Sequence, residues 1–191
     1  MPREHLTPST VVAAAGRLAD RDGLSALTMS AVAREVGVQP ASLYEHVANV
    51  AALLDAVQRQ ALEELAAHIG EDVAGRSAKD ALTGLADAHR RYAAARPGAW
   101  QALQRPATEE TAQSPGAARV AALTLAVIRG YPVPEEDRIH AARLVGATVN
   151  GFLALSRSGG FAHRPDDEDQ SWTAAIAALD RALTTWSGGP A

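Results

Sequence analysis

The sequence predicts an all-α protein, on three observations. Ala dominates a composition that is 47% hydrophobic but only 4% aromatic, and Ala is the best helix former. Apolar residues recur at helical spacing along most of the chain, and no stretch sustains a period of two. Segment boundaries carry helix start and stop chemistry, with Thr, Ser or Asn before the starts and Gly or Pro at the stops. With 191 residues the chain is long enough for one or two domains with a real core.

Taken in order, Thr7-Pro8 opens the first helix, Thr7 as N-cap and Pro8 at the first helical position. Val11, Val12, Ala15, Leu18 and Ala19 mark its apolar face, and Asp22-Gly23 stops it. A second helix runs from Thr28 to Val36, where Gly37 breaks the pattern. A third begins near Pro40 and ends by Ala48. Asn49 caps a fourth, from Val50 to about Ile69, and the small, polar run Gly70 to Arg76 reads as a break. Ser77 caps a segment to Arg96, stopped by Pro97-Gly98, and a short helical turn holds Trp100 and Leu103. Arg105 to Gly116 reads as a loop. Ala117 to Arg129 is helical, then Gly130-Tyr131-Pro132 turns. Two acidic starts follow, at Glu135 to Asp137 and at Asp166 to Asp169, as the helix dipole prefers. The helices they open end at Ser158-Gly159-Gly160 and near Trp186.

Composition excludes several classes. The absence of Cys rules out disulfides and thiolate metal sites. No apolar run approaches the ~20 residues of a membrane span, and MPREHLTPST lacks the apolar stretch of a signal peptide. A cytoplasmic location with no membrane partner is expected. His89, His140 and His163 are scattered without a metal-ligand spacing. Gly159-Gly160 is a helix stop, not a phosphate loop, and Ser156 and Ser158 have no identifiable base. Neither an enzyme nor a cofactor is expected.

Helix, Gly turn, helix over residues 28 to 47 matches the helix-turn-helix arrangement. Gly37 permits a positive φ at the sharp turn. Ala33, Val36, Val38, Leu43 and Val47 hold the two helices together. Gln39, Pro40, Ala41, Ser42, Tyr44, Glu45 and His46 remain, small at the N-terminal end and hydrogen-bonding further along, a surface suited to a major groove.

LTMSAVAREVGVQPASLYEHVANVAALL, residues 27 to 54, resembles the DNA-binding signature of the tetracycline-repressor (TetR) family of transcriptional regulators. Leu-Tyr-x-His-Val at 43 to 47, followed by Asn49 and Leu53-Leu54, is its most specific part. Residues 140 to 161, HAARLVGATVNGFLALSRSGGF, resemble a C-terminal type common among these regulators. The resemblance implies a helix-turn-helix DNA-binding domain over residues 1–50, with the start of the fourth helix. A helical effector-binding and dimerisation domain follows over 51–191. It implies a ligand-responsive regulator, a repressor by default, that binds palindromic double-stranded operator DNA as a homodimer and is released by a small apolar or aromatic effector.

The resemblance also implies residue roles. Thr28 and Ser30 contact phosphate and sometimes a base. Gln39, Pro40, Ala41 and Ser42 face bases. Tyr44 and His46 meet backbone phosphates, although Tyr44 also fits packing against the fourth helix and His46 a helix-terminus cap. The sequence departs from the pattern at Val50, where many relatives have Lys. Residues 1 to 50 hold Arg3, Arg17, Arg21 and Arg34 against Glu4, Asp20, Asp22, Glu35 and Glu45, a net of −1 (4 − 5). That leaves open an alternative, a dimeric small-molecule-binding or interaction protein with weakened DNA binding.

In the rest of the chain, the resemblance places dimerisation on the last two long helices. Ala142, Gly146 and Asn150 recur every four residues, with Val149 and Leu153 beside them, and Ile176, Leu179 and Leu183 repeat on the last helix. The same stripes would serve an intramolecular core. Candidates for the effector site are His89, Tyr92, Trp100, Leu103, Leu123, Asn150, Phe152 and Trp172, with core filling as the alternative use of the large rings.

Overall fold

The computed structural model describes residues 6–163 and 167–187. Among these residues ten α-helices follow one another: α1 Pro8–Asp22, α2 Met29–Val36, α3 Pro40–Leu43, α4 Val50–Val73, α5 Ala78–Ala95, α6 Pro97–Leu103, α7 Glu109–Ala112, α8 Pro115–Ile128, α9 Arg138–Arg157 and α10 Glu168–Thr184. Single 3₁₀ turns precede α2, at Leu24–Ala26, and α9, at Glu135–Asp137. No strand occurs among the described residues, so the all-α expectation holds. Asp166, expected to help open the last helix, lies outside the described residues.

Local chemistry explains most boundaries. Thr7 and Thr10 form a capping box at the start of α1, with Pro8 at its first position. Asn49 Oδ1 accepts from Ala52 N at 2.9 Å and caps α4. Three expectations need correction. The helix expected to run from Pro40 to Ala48 is α only to Leu43. Beyond it the chain tightens into i→i+3 bonding, with His46 N donating to Leu43 O at 2.9 Å, and buries Leu43 and Val47 before Asn49 starts α4. The break expected at Gly70 comes later, since α4 continues to Val73 and the chain turns at Gly75, whose φ is +71°. The loop expected over 105–116 holds a helical turn, α7, because the Thr108 hydroxyl accepts from Thr111 N and Thr111 is fully buried. The next helix then starts at Pro115, with Ser114 Oγ accepting from Ala117 N at 3.3 Å.

The chain packs as two units, residues 1–64 with 92–118, and 65–91 with 119–191. In the first, Val11, Ala15, Leu18 and Ala19 of α1 form a core with Leu27, Val32, Ala33, Leu43, Val47, Leu53, Val57 and Ala102. Ala102 belongs to α6, so this unit extends well past residue 50. α6 lies hard against the end of α1. A Cβ on Gly98 would stand 2.1 Å from the Ala19 carbonyl carbon, so only glycine fits there. Asp20 secures the contact. Its Oδ1 accepts from Gly98 N at 2.9 Å and Ala99 N at 3.0 Å, capping α6, and its Oδ2 accepts from Arg96 Nε at 2.5 Å.

The second unit buries Leu65 and Ile69 of α4, Leu82 and Leu85 of α5, Ile128 of α8, and Ala141, Val145, Val149 and Leu153 of α9. From α10 it buries Trp172, Ile176, Leu179 and Leu183. Two aromatic polar tips inside it are paired: Tyr131 donates to Asp180 at 2.8 Å and Trp172 Nε1 to Asp87 at 2.9 Å.

Candidate nucleic-acid interface

The helix-turn-helix is built by two local devices. Thr28, extended at φ −131° and ψ 155°, caps α2 through its hydroxyl, which accepts from Ala31 N. At the other end Gly37 adopts the left-handed conformation, φ 73° and ψ 32°. Its N–H reaches Arg34 O at 3.3 Å while Val38 N reaches Ala33 O at 3.0 Å, the paired bonds of a Schellman turn. The turn aims α3 away from α2 and lets Leu43 (fully buried) and Val47 anchor it to the core.

What α3 and its following turn leave outside is the expected set. Gln39, Ala41, Tyr44 and Glu45 are exposed, and Pro40, Ser42 and His46 are half-buried. Thr28 and Ser30 on α2 are exposed as well. Tyr44 is 56% exposed. More than half of the residue is thus open to a partner. Val50 begins α4 at 37% exposure, an apolar side chain on the rim of this surface.

The electrostatics are unusual for such a surface. Between Arg34 and Arg59 the chain contains no Lys or Arg. Arg21 is held by Asp22 and Glu35, each at 3.0 Å, and the hydrogen bond from Arg21 holds the Glu35 carboxyl below its ordinary range. Arg34 is exposed, with no ion pair among the described residues. Phosphates would have to be met by hydroxyls, ring groups and the open N–H groups at the N-termini of α2 and α4.

Residues 11–57 match the family description "Bacterial regulatory proteins, tetR family", and residues 82–179 match "Tetracyclin repressor-like, C-terminal domain". The chain belongs to the TetR family. It is 31% identical over 159 residues, 81% of this chain and 72% of the relative, to the uncharacterized HTH-type transcriptional regulator Rv0681 of Mycobacterium tuberculosis. It is 26% identical to YobS of Bacillus subtilis, another uncharacterized HTH-type regulator, over 86% of each chain. Among solved structures, ActR of Streptomyces coelicolor shares the fold, with a TM-score of 0.74 at 22% identity over 97% of this chain and all of that one. BioQ with its natural double-stranded DNA operator aligns with a TM-score of 0.71 at 25% identity, over 95% and 99%. TetR proteins are DNA-binding transcription factors, not enzymes, and act on operator DNA as dimers. Among the described residues no helix is long and apolar enough to cross a membrane.

The TetR C-terminal region distributes the other candidate residues. Tyr92, Trp100 and Leu103 belong to the first unit, and His89, Leu123, Asn150, Phe152 and Trp172 to the second. Tyr92 donates to Glu64 at 2.9 Å, and Glu64 also receives Arg96 at 2.7 Å. Burial, with that carboxylate alongside, raises the pKa of the phenol, so it stays a neutral donor in a structural network. Trp100 is buried and Leu103 half-buried.

In the second unit Phe152 packs on Trp172 and Phe161, with ring centroids 5.1 and 4.9 Å away. The Arg90 guanidinium lies 5.4 Å from the Trp172 ring and pairs with Asp169. His89 is buried, and burial lowers its pKa. Burial favours the neutral ring, and Nδ1, facing a carbonyl that can only accept, donates to Leu85 O at 2.8 Å. Leu123 is half-buried, and Asn150 donates to Gly146 O at 2.9 Å on its own helix.

The fold divides the residues expected at the dimer. Val149, Leu153, Ile176, Leu179 and Leu183 are buried in the unit's own core, and Ala142, Gly146 and Asn150 are half-buried. The large apolar members serve the unit's own core, whereas a Cβ on Gly146 would meet nothing within 4 Å. A different side of α9 is exposed, carrying Leu144, Ala147, Gly151, Ala154 and Leu155. Their spacing of three and four residues was present in the sequence, but α9 is apolar on both sides, and periodicity alone does not say which one faces inward.

Proposed function

We propose that this TetR protein is a homodimeric repressor that binds a palindromic operator and is released by a small apolar or aromatic effector. The observation that carries the reading is the exposed side of α9. A Cβ added at Gly151 would meet nothing within 4 Å in the protein's own fold. Glycine inside a helix costs about 0.5–1 kcal/mol relative to alanine, and the protomer gains nothing from it in packing. A second copy whose helix must approach closely gives the residue a use. Leu144 and Leu155, 38% and 50% exposed, flank it with apolar surface. Any two-fold pairing of two copies relates their α3 helices by that axis, the symmetry a palindromic operator shares.

The effector enters the reading through the second unit, where Phe152, Trp172 and His89 offer aromatic surface and a neutral imidazole. Release requires only that the effector bind one arrangement of the dimer better than the other. The cation-poor rim at Val50 favours the second reading, a dimeric ligand-binding or interaction protein with weak DNA binding. Binding to DNA upstream of its own and adjacent genes, at low and moderate salt, separates the two. The repressor reading expects specific binding, and binding no better than to random DNA in every condition would favour the other.

Two substitutions refine the test. Tyr44→Ala should weaken operator binding about tenfold or more, the worth of a hydrogen bond to a charged phosphate, without changing the mass of the dimer. Unchanged affinity would remove Tyr44 from the interface. Val50→Lys should tighten binding and steepen the salt slope by ~2 per dimer, one new phosphate contact in each head. An unchanged slope would mean that this position does not face DNA.

A further inference from the structure

We infer that the recognition surface selects A·T base pairs, the Gln39 amide reading adenine and the Ala41 methyl meeting the methyl of thymine. The inference rests on the operator-binding reading above and asks which bases that surface can tell apart.

Gln39 is the N-cap residue of α3, at φ −73° and ψ 145°, yet its side chain makes no capping hydrogen bond. Its amide is exposed, with a donor and an acceptor both unused among the described residues. That pair matches the N6–H and N7 of adenine in the major groove. Ala41 follows two residues later and is exposed. An alanine methyl carries no hydrogen-bonding group, and its partner on a base edge is the thymine methyl.

The other residues support the choice by what they lack. Guanine is read most often by Arg or Lys through O6 and N7, and the chain has neither between Arg34 and Arg59. Ser42 bonds to any base edge and does not discriminate. Glu45 accepts from a cytosine amine, but it stands in the turn beyond α3, past the N-terminal residues that reach base edges first.

Selection from randomised duplexes with the full chain at low salt tests this. The enriched half-sites should carry A·T pairs at neighbouring positions. Gln39→Ala should flatten the adenine preference, by between about fivefold and about a hundredfold. Replacing the selected thymine by deoxyuridine, which removes only the methyl, should weaken the wild type and leave an Ala41→Gly variant unaffected. Enrichment of G·C pairs, or a Gln39→Ala protein with the wild-type preference, overturns the inference alone. No enriched sequence at all would overturn the operator-binding reading with it.

Discussion

Gly98→Ala is expected to destabilise the first unit by about 3 kcal/mol or more, at the upper end of overpacking changes. The reason is the identity of the obstructing atoms. The new methyl would lie 2.1 Å from the Ala19 carbonyl carbon, 2.3 Å from its oxygen and 2.5 Å from Asp20 N. All three are backbone inside α1, so no side chain can swing aside. Relief means parting α6 from α1, which also strips Asp20 of its bonds to the Gly98 and Ala99 amides and to Arg96. Thermal unfolding followed by circular dichroism should show the midpoint fall by roughly 10 °C. A midpoint within a degree of wild type would show that α6 does not sit this close to α1.

Gly151→Glu is expected to do the opposite, sparing the fold and removing the function. Its Cβ meets nothing in the protomer, so the monomer should unfold at or above the wild-type temperature. Across a two-fold axis the same carboxylate would face its own copy, a like charge buried at close range. Sedimentation or light scattering should give a monomer, and operator affinity should fall on the order of a thousandfold, toward the non-specific level. Gly151→Ala offers a graded version, with a more stable helix by about 0.5–1 kcal/mol and a weaker dimer. A dimer that persists with the glutamate in place would move the interface elsewhere.

These two positions also mark what a single sequence reveals. The reading head was legible because its signals are local. Thr7, Thr28, Gly37 and Asn49 act on neighbours within a few residues, and the exposed set around α3 follows from Leu43 and Val47 being the buried ones. The docking of α6 was not legible, since Asp20 and Gly98 are 78 residues apart and nothing near either one announces the other. Which side of α9 meets a second copy was not legible for a different reason. Ala142, Gly146, Val149 and Leu153 form as good a stripe as Leu144, Ala147, Gly151 and Leu155, and periodicity alone does not rank them. α7 was missed because Thr108 and Thr111 look like loop polarity until one hydroxyl is seen capping and the other buried.

The stretch without Lys or Arg between Arg34 and Arg59 has a consequence far from any operator. A genome offers about 10⁶–10⁹ decoy sites, and attraction to them comes almost entirely from cations on phosphates. A protein with a cation-poor reading head is poorly retained by those decoys. It spends less of its time parked or sliding on irrelevant sequence and more of it in free solution. Its search is then a matter of three-dimensional collisions, slow per encounter but with little of the population sequestered. Under the repressor reading proposed above, a small number of copies would keep one operator occupied, and a modest rise in effector would not be buffered by a reservoir of molecules stored along the chromosome.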